Sequence, residues 1–263
     1  LIVKSQLHFS PSDPSSVWQV FEDLAAVGLK SLSLSIKLDD EVGNWADLAP
    51  IRGQVLFPSQ NATASAKNPL PYDLYSTAQN AGAVLGMSIS PWIPTFSDSA
   101  QSYIDHPGWR LLNDPDNQGF VDAFLPAVRQ YEGSLIAEAM GSPYSAPPRV
   151  TLDHFRYTNY QHIDEGGADS IAKFVQDISG MLPAGTELAG YMWKPRDSSW
   201  SGQYYGLLEP LLDVMSPMLY WQFKELSVGS ALPESVHNYV VEQLDSVRAR
   251  IGQINLTAKV KPT

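Results

Sequence analysis

Cysteine is absent from the 263 residues. That excludes disulfides, thiolate nucleophiles and thiolate metal sites, and leaves the redox compartment open. Basic residues are scarce: 17 Lys and Arg stand against 28 Asp and Glu, a formal charge of -11. Phosphate neutralisation needs a basic surface, so no nucleic-acid partner is expected. No apolar run reaches the length of a membrane-spanning helix, so no membrane insertion is expected either. The opening Leu1-Ile-Val carries no signal-peptide pattern and reads as a mature or trimmed end.

What is abundant is apolar and aromatic. Hydrophobic residues make up 44% of the chain, enough for one sizeable core, and there are 7 Trp and 12 Tyr. Of the tryptophans, Trp18 falls in a clear helix. Trp45, Trp92, Trp109, Trp193, Trp200 and Trp221 fall in loops or at strand ends, where flat apolar faces can either anchor a loop or receive a ligand.

The hydrophobic pattern alternates between strand and helix periods. A short apolar segment, Leu7-His-Phe9, precedes a helix capped by Asp13-Pro14, with Val17, Val20, Phe21, Leu24 and Val27 on one face and a stop at Gly28. Strict alternation over Ser31–Leu38 then predicts a second strand, which makes a βαβ unit and hence a parallel sheet. The same reading places a helix over 72–80 closed by Gly82, a third strand over 83–90, and a helix over 119–131. Residues 134–148 are compatible with either strand or helix. A fourth strand ends at Asp153. A helix carries Ile171, Phe174, Val175, Ile178 and Met181, and a fifth strand runs from Glu187 to Trp193. A short helix over 207–214, a sixth strand from Ser216 to Gln222, a helix around Val236–Ile251 and a seventh strand from Asn255 complete the chain. The expected fold is a single α/β domain over 1–263, a TIM-type (β/α)8 barrel whose closing segment is not visible. Either the chain is a fragment, a strand lies unrecognised near residue 55 or 136, or the barrel is incomplete.

In such barrels the chemistry gathers where the strands end and the βα loops begin. The strand ends present His8, then Asp39 and Asp40, Trp92, Asp153 with His154 and Arg156, Tyr191 and Trp193 with Lys194, and finally Tyr220, Trp221 and Gln222. The densest stretch is Val150-Thr-Leu-Asp-His-Phe-Arg-Tyr157, a buried-strand pattern that delivers a carboxylate and a guanidinium together. Carboxylates among aromatic planes suit a sugar, whose C–H faces stack while its hydroxyls seek hydrogen bonds. Glycosidic cleavage needs a carboxylic acid at the leaving oxygen and a second group opposite, either a carboxylate or an acetamido group on the substrate. Asp153 is the candidate general acid/base. Asp39, Asp40, Glu138, Asp197 and Glu225 are all open as the second. Candidate substrate contacts are His8, Asp39, Trp92, His154, Arg156, Tyr191, Trp193, Lys194, Tyr220 and Trp221. His154, His162 and Asp164 match no standard metal spacing, and no metal or cofactor is expected.

Four motifs carry a resemblance: Tyr103-Ile-Asp-His-Pro-Gly-Trp109, Asp114-Pro-Asp-Asn117, Thr151-Leu-Asp-His-Phe-Arg-Tyr157 and Ser216-Pro-Met-Leu-Tyr220. From about residue 50 to 222 their order and spacing resemble the bacterial glycoside-hydrolase-like barrels that include the family 10 glycosyl-hydrolase-like proteins. The stretch is also similar to the hydrolase domain of poly-N-acetylglucosamine deacetylases, which carries a Phe-Pro pair like Phe57-Pro58. The resemblance implies that Asp153 is the catalytic acid. Many members have a second acid at the next position, where this chain has His154. Pro217-Met-Leu-Tyr220 also resembles the Met-x-Tyr of chitinases, which implies that Tyr220 steadies a substrate acetamido group. The expected activity is hydrolysis of an amino-sugar-containing exopolysaccharide. The alternative is a carbohydrate-binding barrel without catalysis.

Overall fold

The computed structural model describes residues 12–38, 51–112, 119–141, 143–158, 166–193 and 201–218, with positions 241, 242, 245, 246 and 249. Among the described residues, five strands form one sheet: β1 (Ser31–Ser35), β2 (Ser88–Pro94), β3 (Arg149–Asp153), β4 (Glu187–Met192) and β5 (Val214–Pro217). Each pairs in parallel with the next in sequence, in the order β1-β2-β3-β4-β5. Helices return the chain between them: α2 (Leu74–Leu85) before β2, α3 (Pro126–Met140) before β3, α4 (Gly167–Met181) before β4 and α5 (Tyr205–Leu208) before β5, with α1 (Ser15–Ala26) preceding β1. A doubly wound sheet would reverse its strand order part-way across. Among the described residues the order does not reverse, which is the arrangement of consecutive staves in a (β/α) barrel.

The alternation in β1 sorts the sheet into two faces. Leu32 and Leu34 are buried and in register with Ile89 and Pro91, and Ile89 packs against Gly82 of α2. This face joins the core built with Phe21, Tyr75, Ala78, Val128, Ile171, Phe174 and Ile178 from the helices. The opposite face is polar and small at its start, with Ser33, Ser35, Ser90 and Thr151. Its end carries the larger side chains Trp92, Asp153 and Tyr191.

Several boundaries differ from the sequence reading. Residues 83–85 belong to α2 and not to the following strand, because Leu74, Tyr75, Ala78, Ala81 and Gly82 bury a helical stripe and the turn comes later. Asp73 caps α2 by accepting from Ser76 N at 2.9 Å, and Gly86 ends it in the left-handed region at φ 67°. The strand is therefore 88–94, which brings Trp92 inside it. The helix expected over 119–131 starts at Pro126. Phe120 and Val121 are extended instead, bridged to Ser97 and Arg110. The ambiguous stretch from Leu135 is the second half of α3, so no strand lies near 136, while Val55 forms one antiparallel bridge with Lys37. Val214, placed in a helix by the sequence reading, opens β5. Val27, expected on the buried face of α1, is 81% exposed, since that helix stops at Ala26. The expected strands at Leu7 and Asn255 lie outside the described residues.

Candidate active site

Asp153 is the last residue of β3 and is 2% exposed. Its carboxylate is held by two donors: Trp92 Nε1–H reaches Oδ2 at 3.2 Å, and the His154 backbone N–H reaches Oδ1 at 2.7 Å. His154 has φ 53°, a left-handed conformation uncommon outside glycine, so the chain turns sharply immediately after Asp153. The Asp153 carbonyl is fixed as well, accepting Thr95 N–H at 2.8 Å and Thr95 Oγ1 at 2.9 Å. Backbone and side chain of Asp153 are thus both constrained, by groups from two strand ends.

A cation and an aromatic wall stand beside it. Arg156 Nη1 lies 3.6 Å from Asp153 Oδ1, and the guanidinium carbon sits 4.8 Å from the centroid of Trp193. Stacking on an indole orients a guanidinium and leaves its edge for acceptors. Nη1 is buried and makes no hydrogen bond among the described residues. A buried donor without an acceptor is costly, and a substrate oxygen would relieve it. Trp92 meets Tyr191 edge-on at 5.9 Å, and the Phe120 ring lies 5.6 Å from His154, whose Nε2 is 4.0 Å from Asp153 Oδ2. The loop following β2 therefore reaches the end of β3.

The end of β4 is secured by a side chain that the sequence reading missed. Gln203, fully buried, accepts Trp193 N–H at 2.6 Å and donates to Tyr191 O at 3.0 Å, while Tyr205 donates its hydroxyl to Trp193 O at 2.8 Å. Gln203 thereby takes the part of a neighbouring strand where the ladder has ended. No local motif marks it; a glutamine between Gly202 and Tyr204 reads as loop.

Of the predicted site residues, the structure brings together Trp92, Asp153, His154, Arg156, Tyr191 and Trp193. His8, Asp39, Lys194, Tyr220 and Trp221 lie outside the described residues, as do Asp40, Asp197 and Glu225 among the candidates for a second carboxylate. Glu138 is occupied elsewhere. It accepts the backbone N–H of Gln60 at 2.9 Å and the hydroxyl of Ser59, clamping the loop after β1. Asp98 and Glu132, also missed, are buried around Lys37. A lysine at the end of an alternating, otherwise uncharged strand was the available signal.

No protein-family model and no curated protein sequence matches the chain. Solved structures match in fold. An α-amylase from Lactobacillus plantarum superposes with a TM-score of 0.53 at 13% identity, over 92% of this chain and 57% of its own. The trehalulose synthase MutB from Pseudomonas mesoacidophila gives 0.54 at 10% identity, over 92% and 52%. The Bacillus cereus spore cortex-lytic enzyme SleL gives 0.51 at 12% identity, over 95% and 47%. The chain thus spans about half the length of each. None of the three is named as a family 10-like barrel or as a polysaccharide deacetylase domain, so the finer resemblance is not carried by them. At these identities the likeness establishes architecture alone: the protein is a (β/α)-barrel-type α/β fold, of the kind on which these enzymes are built.

Proposed function

We propose that this chain is a glycoside hydrolase acting on a polysaccharide, with Asp153 as general acid/base and Trp92, Tyr191, Trp193 and Arg156 around the sugar. One observation carries the reading. A buried carboxylate at the C-terminal end of a barrel strand is oriented by an indole N–H and a backbone N–H, beside a stacked guanidinium whose Nη1 makes no hydrogen bond among the described residues. In the reaction the carboxyl group passes its proton to the glycosidic oxygen as the bond from C1 to that oxygen breaks, and positive charge develops on the ring. The Trp92 and His154 donors then stabilise the carboxylate left behind.

A second group must meet that developing charge. Among the described residues, Asp98 and Glu132 are committed to Lys37, and Glu138 to the loop at 59–61. A substrate acetamido group filling the role favours an amino-sugar polymer. The name of the cortex-lytic neighbour and the motif resemblance lean the same way. The charge of -11 favours a partly deacetylated, cationic polymer through long-range attraction. Such a substrate fits a secreted or periplasmic enzyme.

The same engagement of Asp98, Glu132 and Glu138 favours a second reading, a carbohydrate-binding barrel without catalysis. Release of reducing ends from a panel of polysaccharides, including partly deacetylated poly-N-acetylglucosamine, separates the two. A hydrolase liberates new ends and a binder retains the polymer intact. Asp153→Asn is expected to abolish release while leaving the fold and sugar binding in place. Unchanged turnover in that variant removes Asp153 from the mechanism.

A further inference from the structure

Behind the site lies a charged cluster with no access to solvent. Lys37 is 1% exposed and Asp98 and Glu132 are 0% exposed. The Lys37 ammonium sits 2.7 Å from both Glu132 carboxylate oxygens and 2.9 Å from Asp98 Oδ2, and donates to Thr95 O at 2.8 Å. Asp98 is itself locked, because its Oδ1 accepts Gln101 N–H at 2.9 Å and its carboxylate fills the space that a Cβ on Gly53 would need. Gly53 has φ 98°, so the close approach and the backbone conformation both require glycine there.

Such a cluster is a poor way to gain stability. Desolvating three ionisable groups offsets most of their mutual attraction, and apolar residues of similar volume generally serve as well. Its geometry shows what it holds instead. Thr95 is gripped from both sides, its carbonyl by Lys37 and its N–H and hydroxyl by the Asp153 carbonyl. The main-chain ladder between β1 and β2 stops at Ser35 and Trp92, and that between β2 and β3 at Pro94 and Asp153. Beyond those points, side chains lace the three strand ends together, running from Glu132 of α3 through Lys37 and Thr95 to Asp153.

We propose that Lys37, with Asp98, Glu132 and Thr95, is a positioning device for Asp153, fixing the strand end from which the carboxylate meets the substrate. This inference rests on the glycosidase reading of Asp153, but part of its test needs no substrate. The Trp92 indole N–H is bonded to Asp153 Oδ2, so its resonance in a ¹⁵N–¹H spectrum reports the placement of that carboxylate. The double variant Lys37→Met/Asp98→Asn removes both charges at nearly constant volume and leaves Thr95 O untethered. Thr95→Val removes the hydroxyl contact to Asp153 and keeps the cluster.

In both variants, folded by circular dichroism, the Trp92 resonance is expected to move by more than its linewidth toward its position in Asp153→Asn. On a substrate that the wild type hydrolyses, kcat is expected to fall roughly 10- to 100-fold, the scale of an ångström-level misplacement, with KM within about twofold. A Trp92 resonance at its wild-type position in both folded variants overturns the proposal. Where the double variant does not fold, the resonance of Thr95→Val decides alone. Failure of the wild type to cleave any polymer removes the glycosidase reading and leaves the spectroscopic result standing on its own.

Discussion

Trp92 and Asp153 belong to adjacent strands two register positions apart, and the indole spans that offset to place its N–H 3.2 Å from the carboxylate. Trp92 faces its own register partner Thr151, one step below the site, so the ring forms a wall while its edge reaches upward. A residue that sequence alone reads as either packing or ligand platform is thus both packed into the sheet and bonded to the candidate acid.

Trp92→Phe separates them. The aromatic wall and its edge contact to Tyr191 survive, and the donor to Asp153 is lost. Removing a hydrogen bond of this kind costs about 0.5–1.5 kcal/mol, a loss that urea denaturation should show with an unchanged m-value. Polysaccharide cleavage should fall more steeply than binding, because the carboxylate loses one of its two orienting donors.

Arg156→Lys keeps the charge and discards the plane. An ammonium cannot stack on Trp193 over the same area or present a forked edge. We expect weaker oligosaccharide binding, on the order of tenfold by calorimetry, a loss of about 1.4 kcal/mol, with little change in stability. Affinity equal to wild type would show that the guanidinium edge does not contact the sugar.

Glu132 should impose a pH dependence on stability. Burial pushes its carboxyl up from 4.5 to about 8, against the lowering effect of Lys37, while the Asp98 carboxylate pushes it further up. Burial disfavours the charge on Lys37, yet Asp98 and Glu132 outweigh that and hold the ammonium above its ordinary range. With its carboxyl held above the ordinary range, the folded protein releases the Glu132 proton at higher pH than the unfolded chain does, so this group's contribution to stability declines as pH rises from the ordinary carboxylate range. The Lys37 contribution stays in place there, since it is lost only at alkaline pH. The urea midpoint of the wild type should be lower at pH 8 than at pH 5, and the difference should be much smaller for Glu132→Gln. Equal slopes in the two proteins would mean that Glu132 does not hold the proton.

How much of this was legible in the chain differs from element to element. The alternation Ser31-Leu-Ser-Leu-Ser35 announced a strand with one buried face, because the two-residue period is written directly in the side chains. Asp153 stood out because a carboxylate after Val150-Thr-Leu152 has to lie at the end of a buried strand. The boundary between α2 and β2 was not legible. Ala83-Val-Leu85 is apolar in either state, and Gly86, not Gly82, supplies the left-handed cap. The 119–125 segment was misread because Phe120 and Phe124 imitate a helical stripe, whereas Phe120 is bridged to Ser97 and buried against the loop after β2.

From the sequence alone came the α/β alternation, the parallel sheet and the pairing of a strand-end carboxylate with aromatic neighbours, since each rests on local period and residue type. Only the tertiary structure decided which groups hold that carboxylate. Lys37, Thr95, Asp98, Glu132 and Gln203 lie tens of residues from the side chains they serve or from the end of β3. Their roles depend on strand register and helix return, distances that no local pattern records. A lysine that reads as one more polar position in an alternating strand becomes, once the chain closes around it, the fastening between three strand ends.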